Sequence, residues 1–339
     1  MHRCLRIQEI LANIFATIFE DEDQLWISWA RSSTLASAAQ TCKIFSGPAL
    51  DALWHSQRLY NLIKCFPIDA LKLDGHDVTI NRRLSREDYL RVHFYSARIK
   101  EIVHEEDTDY NINPMVIALL LSQQTLYGPL LPNVRHFYLG TTHFYGQAIL
   151  SRLLVGPNLR TIHLISEVWD DEPGPWENML YVLKPCLSNL EAFTFESEIC
   201  GRTMRFDAID AMIEMHHSFS KLRNLDTRNF DATYAVLSHI ATMPRLQTLT
   251  FGILAPELQK FNALPRPEPH FPSLVKLTID TDSLSDCGSF FAHLSFKKLQ
   301  SLRVKQYRSG LDWQLEPFFN ALNRHLLPSR LEVLNIDNY

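Results

Sequence analysis

Apolar residues recur along most of this chain in one fixed phrase: an anchor, two intervening residues, an apolar residue, one intervening residue and another apolar residue. The phrase stands in LPNVRHFYL, GPNLRTIHL, LSNLEAFTF, FSKLRNLDT, MPRLQTLTF, FPSLVKLTI, FKKLQSLRV and PSRLEVLNI, anchored at Val134, Leu159, Leu190, Leu222, Leu246, Leu274, Leu299 and Leu331. Successive anchors lie 25, 31, 32, 24, 28, 25 and 32 residues apart, room for one strand, one turn and one helix. A fixed period of this size is the mark of a stacked repeat architecture. The last two apolar positions of each phrase, such as Leu249 and Phe251 or Leu277 and Ile279, are two apart, so on an extended segment they point to one side. One phrase departs, with Thr227 two residues after Leu225. Between phrases the spacing turns helical, as at Ile209, Met212, Ile213 and His216, or Tyr234, Leu237, Ile240 and Ala241. The expectation is an α/β chain of strand-then-helix units, none able to bury its apolar face alone.

The phrase resembles the leucine-rich repeat over roughly residues 130 to 339. The family consensus continues past the strand to an Asn or Cys that bonds the turn backbone, and here those positions are mostly neither. That departure favours the longer, helix-backed form of the repeat. The resemblance implies an irregular solenoid, with parallel strands on the concave side and helices on the convex side. Residues between the two inward positions of each strand then point outward, namely Tyr138, His163, Thr194, Asp226, Thr250, Thr278, Arg303 and Asn335. Of these Tyr138, His163, Asp226 and Arg303 are candidates to hold a protein target.

A different pattern opens the chain. Ile7, Ile10, Leu11, Ile14, Phe15, Ile18 and Phe19 form a continuous stripe at helical spacing, ended by the acidic run Glu20 to Asp23. Ser32, Ser33 or Thr34 can cap a second helix carrying Leu35, Ala38, Ala39, Cys42 and Phe45. Gly47-Pro48 is expected to break it and start a third, with Ala49, Leu50, Leu53 and Trp54. Three short helices make a bundle too small to stand on its own core, so support is expected from the adjoining repeats or a partner.

These residues resemble the F-box, a small helical module that docks on the Skp adaptor of cullin-type ubiquitin ligases. The matching segments are Ile7-Gln8-Glu9-Ile10-Leu11 with Ile14-Phe15, then Leu35 to Cys42-Lys43-Ile44-Phe45, and Leu53-Trp54. Gln8 stands where the family usually has proline, which pre-sets the start of the first helix, so adaptor affinity is the property that this departure touches. With the repeats behind it, the chain is similar to fungal, mushroom-type F-box proteins. The likeness implies an F-box-like domain over residues 1–60, a linker with a degenerate first repeat near Ile99 and Ile102 over 61–130, and the repeat body over 131–339. It places adaptor contacts on Ile7, Gln8, Ile10, Leu11, Leu35, Phe45, Leu53 and Trp54. The implied function is that of a substrate receptor, bound to the Skp adaptor at one end and to an unknown protein target at the other. The alternative is a repeat scaffold whose bundle only caps the repeats, with no ubiquitin role.

Composition narrows the remaining classes. A formal net charge of −5 and no large Lys/Arg cluster argue against nucleic acid as the partner. Cys4, Cys42, Cys65, Cys186, Cys200 and Cys287 include no CxxC pair, so neither zinc nor another cofactor is expected, and the scattered thiols suit a reducing, cytoplasmic or nuclear compartment. The first residues lack an uninterrupted apolar core of a signal peptide, and no run is long enough to span a membrane. No phosphate-binding glycine loop, GxSxG, HExxH or nucleophile signature is present, so no enzymatic activity is expected. His216-His217 are adjacent on a helical pattern and do not face each other.

Two insertions could carry recognition. VWDDEPGPW, from Val168 to Trp176, adds Trp169 and Trp176 to the target-binding candidates, and a Pro-rich stretch runs from Ala255 to Pro272. The eighth phrase stops at Tyr339 with no capping unit, so the expectation is either a short product or a fragment.

Overall fold

A computed structural model describes residues 7–19, 29–74, 77–105, 111–141, 151–153, 155–166, 181–197, 204–205, 219–260, 271–294, 296–306, 315–325 and 331–338. The chain divides into two compact units, Met1–Leu139 with Ile149–Leu159, and Gly140–Ala148 with Arg160–Tyr339.

The first unit opens with helices α1 (Gln8–Phe19), α2 (Trp29–Thr41) and α3 (Lys43–Leu53). Their core is Leu11, Phe15, Leu35 and Ala49, lined by Ile18, Ala38, Ala39, Phe45, Ala52 and Leu53, with Phe15 edge-on to Phe45 at 5.8 Å. Two expected boundaries are corrected. Helix α2 begins at Trp29, so Ser32, Ser33 and Thr34 lie inside it. The break between the second and third helices falls at Cys42, not at Gly47-Pro48, and Phe45 belongs to α3. Cys42 is extended (φ −159°, ψ 161°), and its carbonyl accepts the N–H groups of Phe45 and Ser46, each at 3.1 Å, which starts the new helix. Pro48 sits inside α3; the carbonyl deprived of its N–H belongs to Ile44, a residue on the exposed side of the helix.

Strand β1 (Ser56–Arg58) follows, then α4 (Leu59–Ile63), β2 (Leu71–Asp74), β3 (Asp77–Ile80), α5 (Arg86–Ser96), β4 (Glu101–Glu105), β5 (Asn111–Ile112), α6 (Pro114–Tyr127) and β6 (His136–Thr141). β1 pairs β4 in parallel, while β2, β3 and β5 form a separate small sheet. Helix α5 has a full capping box: Ser85 Oγ accepts the N–H of Asp88 (3.2 Å) and Asp88 accepts that of Ser85 (2.8 Å). Helix α6 ends at Gly128, whose φ of 89° suits glycine, and the Gly128 carbonyl accepts the Tyr89 hydroxyl at 2.9 Å.

The second unit contains β7 (Thr161–Ser166), a 3-10 turn (Lys184–Asn189), β8 (Ala192–Ser197), β9 (Met204–Arg205), β10 (Asn224–Asp231), α7 (Tyr234–Ile240), β11 (Thr248–Ile253), α8 (Ala255–Lys260), β12 (Lys276–Thr281), α9 (Leu284–His293), β13 (Ser301–Gln306), α10 (Leu315–His325) and β14 (Val333–Asn338). Strands β7, β8, β10, β11, β12, β13 and β14 pair in that order, all parallel, with β9 against the far end of β10. Every one of the eight phrases gives a strand starting two residues after its anchor. The anchors through Leu299 are buried, as are the inward pairs from Phe137 and Leu139 to Leu302 and Val304. Thr227 breaks the apolar rule without cost in hydrogen bonding, because its buried hydroxyl donates to the Thr250 carbonyl at 3.3 Å. The eighth pair differs: Leu334 and Ile336 are exposed on β14, which is last in the strand order and, among the described residues, pairs β13 alone.

Helices α7 to α10 cover the buried face. Thr233 caps α7 by accepting the Val236 N–H at 3.5 Å. The Pro-rich stretch expected from Ala255 begins as helix α8, and residues 261–270 lie outside those described. An aromatic cluster fills the later repeats, Phe290 lying 5.8 Å from Phe251, 5.4 Å from Phe291 and 6.1 Å from Phe296.

One backbone device joins successive units. From the second phrase to the seventh, the carbonyl just after the anchor accepts two N–H groups from the next phrase. Arg160 receives Glu191 (2.7 Å) and Ala192 (3.1 Å), Glu191 receives Arg223 (2.8 Å) and Asn224 (3.1 Å), and the pattern continues through Arg223, Gln247, Val275 and Gln300 to Val333. These groups would otherwise be unmade in a turn. In the first unit the same pattern starts at His55, whose carbonyl receives Lys100 (2.9 Å) and Glu101 (3.0 Å), and Lys100 in turn receives Arg135 (2.7 Å) and His136 (3.0 Å). Trp54 and Ile99 thus hold the anchor position, and the repeat begins where α3 ends.

Candidate interaction surfaces

On the first unit, the wide stripe of α1 divides in two. Leu11 and Phe15 face the bundle core, whereas Ile7 and Ile14, seven residues apart on the same side, are exposed. Ile44 on α3 is exposed as well. Of the eight residues expected at the adaptor, Ile7 and Gln8 are exposed, Ile10, Phe45, Leu53 and Trp54 are half-buried, and Leu11 and Leu35 are buried in the bundle core. Leu11 and Leu35 therefore hold the helices together. Trp54 is tied to the repeats, its ring tilted on Tyr95 at 4.8 Å, and nearby Asp51 pairs with Arg98 at 3.0 Å. Ile14 and Ile44 were absent from the sequence-based set; the i, i+7 relation to Ile7 was the signal for the first.

On the second unit, alternation turns one face of the sheet away from the helices. Strand register aligns His163, Thr194, Asp226, Thr250, Thr278, Arg303 and Asn335 in a single row across seven strands. Of the target candidates, His163, Asp226 and Arg303 lie in that row. Tyr138 is on β6, half-buried between the inward residues Phe137 and Leu139. Trp169 and Trp176 lie outside the described residues, as does the His216-His217 pair.

Two positions further along the strands, sequence reasoning missed a second row on the same face, although a period of two would have found it. It carries Glu196, Gly252, Asp280, Lys305 and Asp337, and Arg228 reaches the same face from the point where β10 shifts register, Asp231 rather than Arg228 pairing with Gly252. Arg228 donates from Nε to both oxygens of Asp226 (3.2 Å each) and from Nη2 to Asp226 Oδ2 (2.5 Å), and its Nη2 lies 3.3 Å from Glu196. His163 stands 3.8 Å from Glu196. Across the face Arg303 donates to Asp337 at 2.5 Å, and Lys305 lies 4.0 Å from the buried Asp280. The neighbouring His163 imidazole, followed by the charges of Arg228 and Lys305, holds the Glu196 carboxyl below the usual range against the opposing effect of burial. Hydrogen bonding to Asp226 raises the Arg228 guanidinium further above its ordinary value. The face is a set of mutually oriented acidic and basic side chains.

Burial pushes the Cys65 thiol up to about 11 and the Cys186 thiol up to about 12, so both are poor nucleophiles. Among the described residues no group of His, Cys, Asp and Glu is placed to hold a metal ion, and no helix is long and apolar enough to cross a membrane. Comparison of the chain with family models and with curated proteins gives no match.

Proposed function

We propose that this chain is a substrate receptor of a Skp-cullin-F-box ubiquitin ligase, with an F-box-like bundle at its N-terminus and a leucine-rich-repeat-type body that holds a protein target. The observation that carries the reading is the surplus apolar face of the bundle. Helix α1 commits Leu11 and Phe15 to its own core yet leaves Ile14 in solvent, and Ile7 just before it and Ile44 of α3 are exposed as well. Exposed isoleucines on so small a bundle are suited to a partner's surface. The likeness of Ile7-Gln8-Glu9-Ile10-Leu11 and Cys42-Lys43-Ile44-Phe45 to the F-box names that partner as the Skp adaptor. The chemistry of ubiquitin transfer would then belong to partner proteins, and this chain would position the target.

A second reading has its own support. The bundle runs straight into the first strand, Trp54 packs tilted against Tyr95 and Asp51 pairs with Arg98, as expected of a structural cap on the repeats. Co-expression of the tagged full-length chain with the Skp adaptor separates the two. Retention of the adaptor at near-equal amounts supports the receptor; a folded chain that retains none leaves the cap.

A further inference from the structure

The polar face of the second unit is layered by charge. In each of its ion pairs the cation is more exposed than the acid beneath it: 41% of the Arg228 side chain is accessible against 19% of Asp226 and 24% of Glu196. Arg303, at 45%, lies over Asp337 at 28%, and Lys305 lies over a nearly inaccessible Asp280. An approaching molecule therefore meets N–H donors, already oriented by the carboxylates under them. A braced guanidinium loses little freedom on binding a carboxylate, and it has five donors to share.

The two arginines flank a low floor. Arg228 is on β10 and Arg303 on β13, with Thr250 and Gly252 of β11 and Thr278 of β12 between them, and Lys276 exposed on β12 beside this floor. Three strand spacings put the strands that carry the arginines about 14 Å apart, which an extended peptide covers in about four to five residues. We infer that this face binds an acidic peptide segment, with two carboxylates about four to five residues apart seated on Arg228 and Arg303.

The sign of the partner follows from the layering. A basic segment would have to displace the arginines to reach carboxylates that they already cover. A nucleic acid is disfavoured for another reason: the cations Arg228, Lys276, Arg303 and Lys305 are matched in number by Glu196, Asp226, Asp280 and Asp337. A face with no net charge gives a polyanion little counterion-release gain, whereas two local carboxylates need only the two forks. The inference rests on the reading that this face holds the target, and is independent of the adaptor.

The test is fluorescence anisotropy with the purified full chain and a labelled Gly/Ser peptide of about twelve residues, bearing two glutamates about five apart. Matched probes carry two lysines, or two adjacent glutamates, and a single-stranded oligonucleotide of similar length is the fourth arm. The spaced diglutamate probe is expected to bind best, and binding should weaken as salt rises. Arg303→Ala and Arg228→Ala should each weaken it by about five- to tenfold, with partial recovery in Arg303→Lys. Since Arg228→Ala strips Asp226 and Glu196 of a partner and can compromise folding, Arg303→Ala on the more exposed pair carries the test. Equal or better binding of the dilysine probe or the oligonucleotide, indifference to Arg303→Ala, or no binding of the spaced probe at about 1 mM overturns the inference. Adaptor retention in the same preparation keeps the two ideas distinct: probe binding without adaptor removes the ligase reading alone, and adaptor binding without acidic preference removes this one alone.

Discussion

Replacing Ile7 and Ile14 together by serine should separate what α1 does for the fold from what it does for a partner. Their relative exposures are 46% and 42%, so each side chain already has nearly half its surface in water. Full burial of an isoleucine contributes about 1.5 to 3 kcal/mol. The buried half of each is thus worth about 1 kcal/mol to folding, and the exposed half about 1 kcal/mol to any partner that covers it. The double variant is expected to lose about 2 kcal/mol of stability and, if both residues enter the adaptor interface, about thirtyfold in adaptor affinity. Leu11, at 1% exposure in the bundle core, provides the contrast. Leu11→Ala should cost about 2 to 5 kcal/mol through a cavity, while leaving the exposed face as it was. Urea unfolding of the full chain, followed by far-UV circular dichroism, reads the first quantity, and titration with the adaptor under native conditions reads the second. An affinity within about threefold of the parent would refute the assignment of the outer isoleucines, as would a double variant that loses about 4 kcal/mol or more, the loss of a core truncation.

Other consequences concern the frame that holds these surfaces. Phe290→Ala, which removes a fully buried ring from between Phe251, Phe291 and Phe296, should cost about 3 to 5 kcal/mol in a denaturant titration. Asp88, bonded chiefly by Arg82 and also by the N–H of Ser85, is held down at about 2 from an ordinary 3.8. Its stabilisation is therefore complete above pH 4 or so and is lost as pH falls toward about 2, so the urea midpoints of the parent and of Asp88→Asn should converge across that window and stay apart at neutral pH. Asn133→Ala, which deprives the Ala97 carbonyl of a 2.8 Å hydrogen bond, should lower stability by about 1 kcal/mol, and no change would show that water replaces the amide without loss.

The repeat was legible because a period-two apolar pair fixes both the strand and the face it buries. Leu249 and Phe251, or Leu277 and Ile279, leave no other phase in which an extended segment can put two large side chains in a core. The earliest repeats were harder to read for the same reason. Trp54 occupies the anchor position before β1, but its strand is Ser56–Arg58, with no apolar pair to announce it. What marks it as a repeat is the His55 carbonyl receiving Lys100 and Glu101, a backbone feature with no side-chain signature. The missing Asn after each strand is offset by a different ladder, on the turn before it: Asn133 donates to the Ala97 carbonyl and Asn158 to that of Pro132 at 2.9 Å. Those asparagines stand one residue before their anchors, visible in the sequence as PNV and PNL, but not where the consensus directs attention. Helix boundaries near Cys42 failed differently. Gly47-Pro48 is the stronger local breaker, yet the packing of Phe45 against Phe15 places the turn five residues earlier.

The polar face shows why part of a recognition surface is readable from one chain and part is not. Which residues point outward follows from alternation alone, so His163, Asp226 and Arg303 could be named, and Glu196, Lys305 and Asp337 were open to the same rule, whereas Arg228 lies where β10 shifts register. Which of them meet is decided by register between strands 23 to 34 residues apart in sequence, as in the bond of Arg303 to Asp337. Which of a pair lies uppermost depends further on side-chain length: Arg and Lys reach over the shorter Asp and Glu, leaving donors outside and acceptors below. Net charge conceals this arrangement. A chain of formal charge −5 presents on this face a surface whose outer atoms are cationic. Because the inner carboxylates fix those cations in place, removing one acid should act through geometry: Asp337→Asn would keep the charge of Arg303 but loosen its orientation. An acidic probe should then lose affinity on Asp337→Asn, although simple electrostatics predicts a gain from the lost negative charge. A measured gain would mean that the layer beneath is only a counter-charge, and that the arginines need no bracing.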